Sequence, residues 1–363
     1  MAKKLKPDRI LFLVTLALVG FGVAMVFSSS AIVAKEKFGD PNYFAFKQLV
    51  SATLGLAVMF IIMKLDYHAY RHPAVVFPAL AASVALLVLV FFLGTVANTH
   101  RWIQLPGFSV QPSELAKLPL IFFLAYFLEK RKGKVNDFAF TLAPVAVIVA
   151  ILAGLIVLGR DLGTPVSLLA ISGVLLFVAG LDLRWIAVSI IFAVPAVYLL
   201  VSRVNYRRQR ILAFLNPWDD PLGSGFQIIQ SLISVASGGI AGLGFMEGKQ
   251  KLFYLPEAHT DFIFAVVGEE MGMIGTWAVL VLFSIFMWRG LRASMRAPDL
   301  FGFYLALGIT MMVCVQAFIN MSVVLGLLPT KGMPLPFLSY GGSSFVVMLA
   351  AVGILLNVSQ QSS

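Results

Sequence analysis

"ILFLVTLALVGFGVAMVFSSSAIVA", residues 10–34, decides the fold. The run carries no charge. As a helix it would extend about 37 Å at 1.5 Å per residue, more than the roughly 30 Å hydrocarbon core of a bilayer. The basic start "MAKKLKPDR" gives it the look of a secretory signal, but a signal's apolar region is only about 7–15 residues long. It reads as a first spanning helix.

The rest of the chain repeats this character. Of 363 residues, 60% are hydrophobic and 12% charged, against about half and about one quarter in a soluble domain. Nine further apolar runs follow, at 46–63, 73–95, 113–128, 138–158, 162–180, 185–202, 262–288, 301–327 and 341–358. The expected fold is an all-α integral membrane protein of about ten transmembrane helices, one polytopic domain over 1–363. Only "GRD" (159–161) separates the fifth and sixth runs, which therefore form a tight hairpin. The single cysteine, Cys314, lies inside an apolar run. It excludes an intramolecular disulfide and reads as a small core residue.

Lys and Arg concentrate in "MAKKLKPDR", "KLDYHAYRH", "EKRKGKVND", "LDLR" and "RGLRASMRAPD". Placing these inside makes both termini cytoplasmic. The net charge of +10 then reflects orientation and anionic lipid, with no nucleic-acid partner implied. The long outer segment 203–261 is exempt from the rule. Trp218, Phe226, Phe245, Phe253 and Tyr254 make it too apolar for disorder, so it reads as one large ordered extracytoplasmic loop. Within it, "FQIIQSLISVA" (226–236) has helical periodicity and suits an interfacial helix.

Five polar clusters punctuate the outer side and the helix ends. In "HRWIQLPGFSVQPSELAK" (100–117), Arg101 and Trp102 either belong to an interfacial belt or bind a phosphate and a sugar. Glu114 and Lys117 share a helix face, either pairing with each other or lining a polar site. In "GRDLGTP" (159–165), Asp161 suits a local helix cap. Arg203, Arg207, Arg208 and Arg210 form an outward basic cluster that suits anionic ligand or lipid headgroups. Asp219 and Asp220 in "NPWDDPLGSG" read first as turn formers, second as a cation site. In "GLLPTKGMPLPFLSYGGSS" (326–344), Ser339, Tyr340 and Gly341–Gly342 form either a tight re-entry turn or an anion site of backbone N–H groups.

"LPEAHTDFIFAVVGEE" (255–270) is the most acidic cluster. Thr260 or Asp261 can cap the next helix. Alternatively Asp261, beside His259 and Glu257, acts as a general base with a raised pKa. Glu269 and Glu270 lie about 12–13 Å deeper and line a cavity or bond to neighbouring helices. No phosphate-binding glycine loop, CxxC or HExxH is present, which argues against nucleotide hydrolysis and the common zinc sites.

Five stretches together resemble the SEDS family: "RWIQLPGFSVQPSELAK", "DLGT", "RILAFLNPWDDPLGSGFQIIQS", "QKLFYLPEAHTDFIFAVVGEEMG" and "GLLPTKGMPLPFLSYGGSS". "NPWDDP", "YLPEAHTDFIF" and "LPTKG" are more similar to its division branch (FtsW) than to its elongation branch (RodA). The resemblance implies a multi-pass bacterial cytoplasmic-membrane glycosyltransferase that polymerises lipid II. It also implies a class B penicillin-binding protein (a transpeptidase) and other divisome proteins as partners. The family's essential acidic position falls on Asp261, and its sensitive Arg-Trp and Glu/Lys positions fall on Arg101, Trp102, Glu114 and Lys117. Two departures stand out. "NTH" replaces the family's usual Asn-Gly-Ala before "RW", and "GR" replaces Gln-Pro before "DLGT".

For such a substrate Asp261 would deprotonate the acceptor's 4-hydroxyl and undecaprenyl diphosphate would leave. Arg101, Lys117, Arg207 and Arg210, or a divalent cation (Mg or Mn) with no ligands assigned, would neutralise its charge. His259 and Ser339 complete the candidate substrate contacts. The rival classes are a lipid flippase, which would concentrate its site at the membrane midplane, and a non-catalytic scaffold.

Overall fold

The computed structural model describes residues 6–94, 99–105, 108–252 and 254–361, so Asn98 and Phe253 lie outside the described residues. Helices dominate. The chain opens with α1 (Arg9–Phe38), α2 (Tyr43–Ile62) and α3 (Pro73–Leu89). A short antiparallel hairpin follows, β1 (Ile103–Leu105) with β2 (Phe108–Val110), pairing Ile103 with Val110. This small hairpin inside an otherwise helical chain was not among the expected elements; three-residue strands carry almost no periodic signal. Then come α4 (Pro112–Leu115), α5 (Lys117–Lys130), α6 (Ala143–Leu158), α7 (Gly163–Val178) and α8 (Leu183–Ser202). The outer segment holds α9 (Asn205–Leu215) and α10 (Phe226–Ser237), and the chain closes with α11 (Ile263–Met295), α12 (Leu300–Val324) and α13 (Gly342–Gln361).

Seven helices among the described residues are long and apolar enough to cross a membrane. The other three expected runs fall on α4 with α5, on α7 and on α8. α12 and α13 form the centre, with 72% and 83% of their apolar windows buried, whereas α2, α3, α6 and α11 bury only 28%. Lipid is as apolar as leucine, so apolar residues do not select which helices meet. Polar staples and close packing do. At the end carrying both termini, Arg289 pairs with Asp8, and the Asp8 N–H donates to Ser359. There also Tyr67 donates to Asp299 at 2.6 Å and Asn357 donates to the Met63 carbonyl at 2.8 Å. Both termini thus lie on one side, as the charge pattern requires.

α11 is broken at Gly272, whose φ of +63 lies in the left-handed region. A kink at membrane depth frees backbone groups that must be satisfied by protein. The segment after α10 supplies them. Leu243 N–H donates to the Glu269 carbonyl and Gly244 N–H to that of Glu270, both at 3.0 Å. Met273 and Ile274 donate in turn to Gly239 and Ile240. A side chain at Gly272 would collide with the Gly242 and Ile240 backbone. α10 itself is tucked against α11 and α12 through Ser234, which donates to the Ala265 carbonyl, and Ser231, which donates to that of Val324.

Candidate active site

Asp261 sits in the turn that enters α11. Glu257, with φ +55, reverses the chain, and its carbonyl accepts the N–H groups of Thr260 and Phe262. The expected Thr260 or Asp261 cap is not formed. The N-cap position is Phe262, with no side-chain cap, and the Thr260 hydroxyl donates to the Glu257 carboxylate at 2.9 Å. The Asp261 carboxylate is therefore not consumed in starting the helix.

Asp261 is mostly buried and keeps partial solvent contact. Burial pushes its carboxyl up from 3.8 to about 7. The negative charge of Glu257 adds to the rise, Arg210 and Arg101 pull against it, and Asp161 raises it further. Thus four charged groups from separate segments act on one carboxyl. Facing it, Gly332 of the "TKG" turn leaves room: a Cβ there would stand 3.1 Å from Asp261 Oδ2.

The arginines approach from two directions. Arg210 on α9 donates to the Thr330 carbonyl at 3.2 Å. Arg101, before β1, donates to the Gly159 carbonyl at 3.4 Å. It also lines a small pocket with His100, Ser113 and Asp161, roomy enough for about one water. Trp102 beside it is half-buried, and Arg207 lies half-exposed on α9. Asp161 accepts from the N–H groups of Gly163 and Thr164 and from the Thr164 hydroxyl. From the residue before the N-cap Leu162 it satisfies the first two N–H groups of α7, the local helix-start role read from "GRDLGTP".

Other expected contacts prove internal. Ser339 is 3% exposed; its hydroxyl donates to the Thr260 carbonyl and accepts from Leu335 N–H. Tyr340 N–H donates to the His259 carbonyl and Gly341 N–H to Gln48. Of the two readings of this stretch, the structure forms the re-entry turn, with the Tyr340 and Gly341 N–H groups taken up by protein. The His259 ring lies 4.7 Å from that of Phe44 and 5.9 Å from that of Tyr340, and burial lowers its pKa, favouring the neutral imidazole. Asp219 and Asp220 act as turn formers: Asn216 donates to Asp219, and Ser224 donates twice to Asp220.

The deeper charges are paired. Lys117, 1% exposed, donates to Glu114 and to Gln316, each at 2.6 Å. Glu269 accepts from the N–H groups of Lys249 and Gln250. Glu270 pairs with Lys251 at 2.6 Å and accepts from Ser28. The two glutamates hold the outer loop down onto the α11 kink, so they bond to a re-entrant loop as well as to neighbouring helices. Sequence reasoning did not single out Gln316, Asn320, Lys251 or Gly332. The first two are single amides in an apolar run, a signal that membrane burial makes expensive and hence informative.

A family model described as "cell cycle protein", FtsW/RodA/SpoVE, matches residues 8–363. The chain belongs to this family. It is 49% identical over 97% of its length to the probable peptidoglycan glycosyltransferase FtsW of Geobacter metallireducens, covering 94% of that protein. It is 45% identical to stage V sporulation protein E of Bacillus subtilis, covering 99% of each. Among solved structures it is similar to a chain of a peptidoglycan synthase complex that coordinates polymerization and crosslinking, at TM-score 0.80 and 31% identity over 97% of each chain. It is also similar to the rod shape determining protein RodA of Thermus thermophilus, at TM-score 0.72 and 27% identity over 98% and 97%. The family consists of integral membrane proteins, in keeping with the apolar helices found here.

Proposed function

We propose that this chain polymerises lipid II at the outer face of the bacterial cytoplasmic membrane during cell division, with Asp261 as general base. Its standing as a peptidoglycan glycosyltransferase follows from the family and from relatives of that name at 46–49% identity. The role of Asp261 rests on its placement: its carboxyl does not cap α11, lies against Gly332 of the facing turn and stands in the field of Arg101 and Arg210, with burial raising its pKa. A base that titrates near working pH can be ionised there and still accept a proton effectively.

In this reading the acceptor's 4-hydroxyl gives its proton to Asp261 while its oxygen attacks the donor's anomeric carbon. The bond from that carbon to the diphosphate breaks, and undecaprenyl diphosphate leaves with the electron pair. Such a group needs charge neutralisation rather than a proton, which Arg101 and Arg210 supply from fixed positions. One base on the face opposite the leaving group matches inverting glycosyl chemistry.

An apolar groove of about 660 Å³ between α3 and α6, walled by Phe77, Leu80, Val84, Val88 and Ile151, supports a lipid-linked substrate. Its helices continue to the small polar pocket at Arg101 and Asp161. The residues do not build a closed cation site: among the described residues no group of three or more His, Cys, Asp and Glu is placed for one. A Mg or Mn ion fits this chain only as one carried largely by substrate phosphates, the usual habit of Mg²⁺, where it would neutralise charge. A transporter is disfavoured because Glu114, Lys117, Glu269 and Glu270 are engaged with protein. Similarity to a chain of a synthase complex supports a cross-linking partner, which we take to be a class B penicillin-binding protein working with other divisome proteins. The test is polymerisation of purified lipid II by Asp261→Asn and Asp261→Ala. Near-normal strand synthesis by folded variant protein removes Asp261 from the base role.

A further inference from the structure

Two amides on α12 hold the loop that faces Asp261. Gln316 and Asn320 are four residues apart and so share one helix face. Gln316 Nε2 donates to the Pro334 carbonyl at 2.9 Å, while its Oε1 accepts from Lys117. Asn320 Nδ2 donates twice, to the Met333 carbonyl at 2.7 Å and to the carbonyl of Asp261 itself at 2.8 Å. The side chain is 2% exposed.

A primary amide offers two protons in one plane, so it satisfies two carbonyls at once; a hydroxyl serves one and an apolar side chain neither. The segments joined here are the two walls of the site. One is the Asp261 turn; the other is the loop whose Gly332 faces Asp261 Oδ2. The Lys117–Glu114 pair buttresses the same loop one helical turn deeper, through Gln316.

The geometry points to Asn320 as a positioning residue for the transferase. It fixes the distance between Asp261 and the 330–334 loop, and thereby the place of the carboxylate against the acceptor hydroxyl. The inference rests on Asp261 being the base. Misplacing a catalytic group by about 1 Å costs on the order of 100-fold in rate.

The experiment uses the purified full-length chain and lipid II, with kcat and KM measured across pH for wild type, Asn320→Leu, Asn320→Ser and Asp261→Asn. Asn320→Leu keeps the branched heavy-atom skeleton, is somewhat bulkier, and loses both donors. Its kcat falls by about 10- to 100-fold while KM changes less than about twofold. Its acidic limb also moves to lower pH, because a loosened Asp261 regains water and its distances to Glu257, Asp161, Arg101 and Arg210 change. Asn320→Ser, which keeps one donor, lies between. A wild-type kcat and acidic limb in Asn320→Leu, with Asp261→Asn inactive, overturns the positioning role and leaves the base in place. Activity in Asp261→Asn overturns the base assignment instead. Should Asn320→Leu not fold, Asn320→Ser is read by the same two quantities. A lower yield of folded protein with unchanged kcat and acidic limb likewise overturns the proposal.

Discussion

Asp261→Asn should stabilise the protein at alkaline pH while silencing it. Burial moves the carboxyl from 3.8 to about 7. An acid raised this way binds its proton more tightly in the folded chain than in the unfolded one. Its contribution is therefore most favourable at low pH, and stability is lost as pH rises from the unfolded value near 3.8 through the folded value near 7. At about 1.4 kcal/mol per pH unit, ionised Asp261 costs the folded state up to roughly 4 kcal/mol above neutrality. Asparagine has nearly the same shape and does not titrate. Its advantage over wild type should grow by about 3 kcal/mol between about pH 5 and pH 8. The assay is thermal unfolding of both proteins in the same detergent at each pH. The Tm difference should widen by a few degrees at the higher pH. A difference that is constant with pH, or that widens towards acid, would refute a buried Asp261.

The neighbours of Asp261 should move its titration in opposite directions. Arg210→Ala removes a charge that lowers the pKa, so the acidic limb of the rate profile moves above about 7; Glu257→Gln removes one that raises it, so the limb moves down. Kinetics of lipid II polymerisation across pH read both, and parallel shifts would contradict the assignment. Deeper in the molecule, Lys251→Met leaves Glu270 buried without its cation, at a cost of about 3–5 kcal/mol. Thermal scans should show this loss, and Lys251→Met with Glu270→Gln should recover part of it.

Much of the architecture was legible because lipid imposes few solutions. Each of the ten apolar runs fell on helix, one of them split between α4 and α5, and Lys and Arg placement put both termini on one side. The hairpin at 103–110 was not legible, since its strands are too short for a period. At the site, Asp261 was readable as a cap or a base, and only the turn geometry at Glu257 decided that it does not cap. Glu269 and Glu270 were recognisable as costly but not as anchors, because most of their partners, the N–H groups of Met246, Lys249 and Gln250 and the Lys251 side chain, belong to a loop that folds back on them. The Ser339 stretch could be read as a re-entry turn or an anion site; the structure spends its hydroxyl on Thr260 and Leu335 and forms the turn. Such long-range backbone bonding leaves no pattern in sequence.

The central claim is that Asp261 removes the acceptor proton. Its most direct test is the rate of glycan-strand formation from purified lipid II, measured across pH for wild type beside Asp261→Asn and Asp261→Ala. The account predicts a wild-type acidic limb with its midpoint near about 7 and no strands from either folded variant. Strand synthesis by either variant at close to the wild-type rate, or a wild-type profile flat through neutrality, would contradict it.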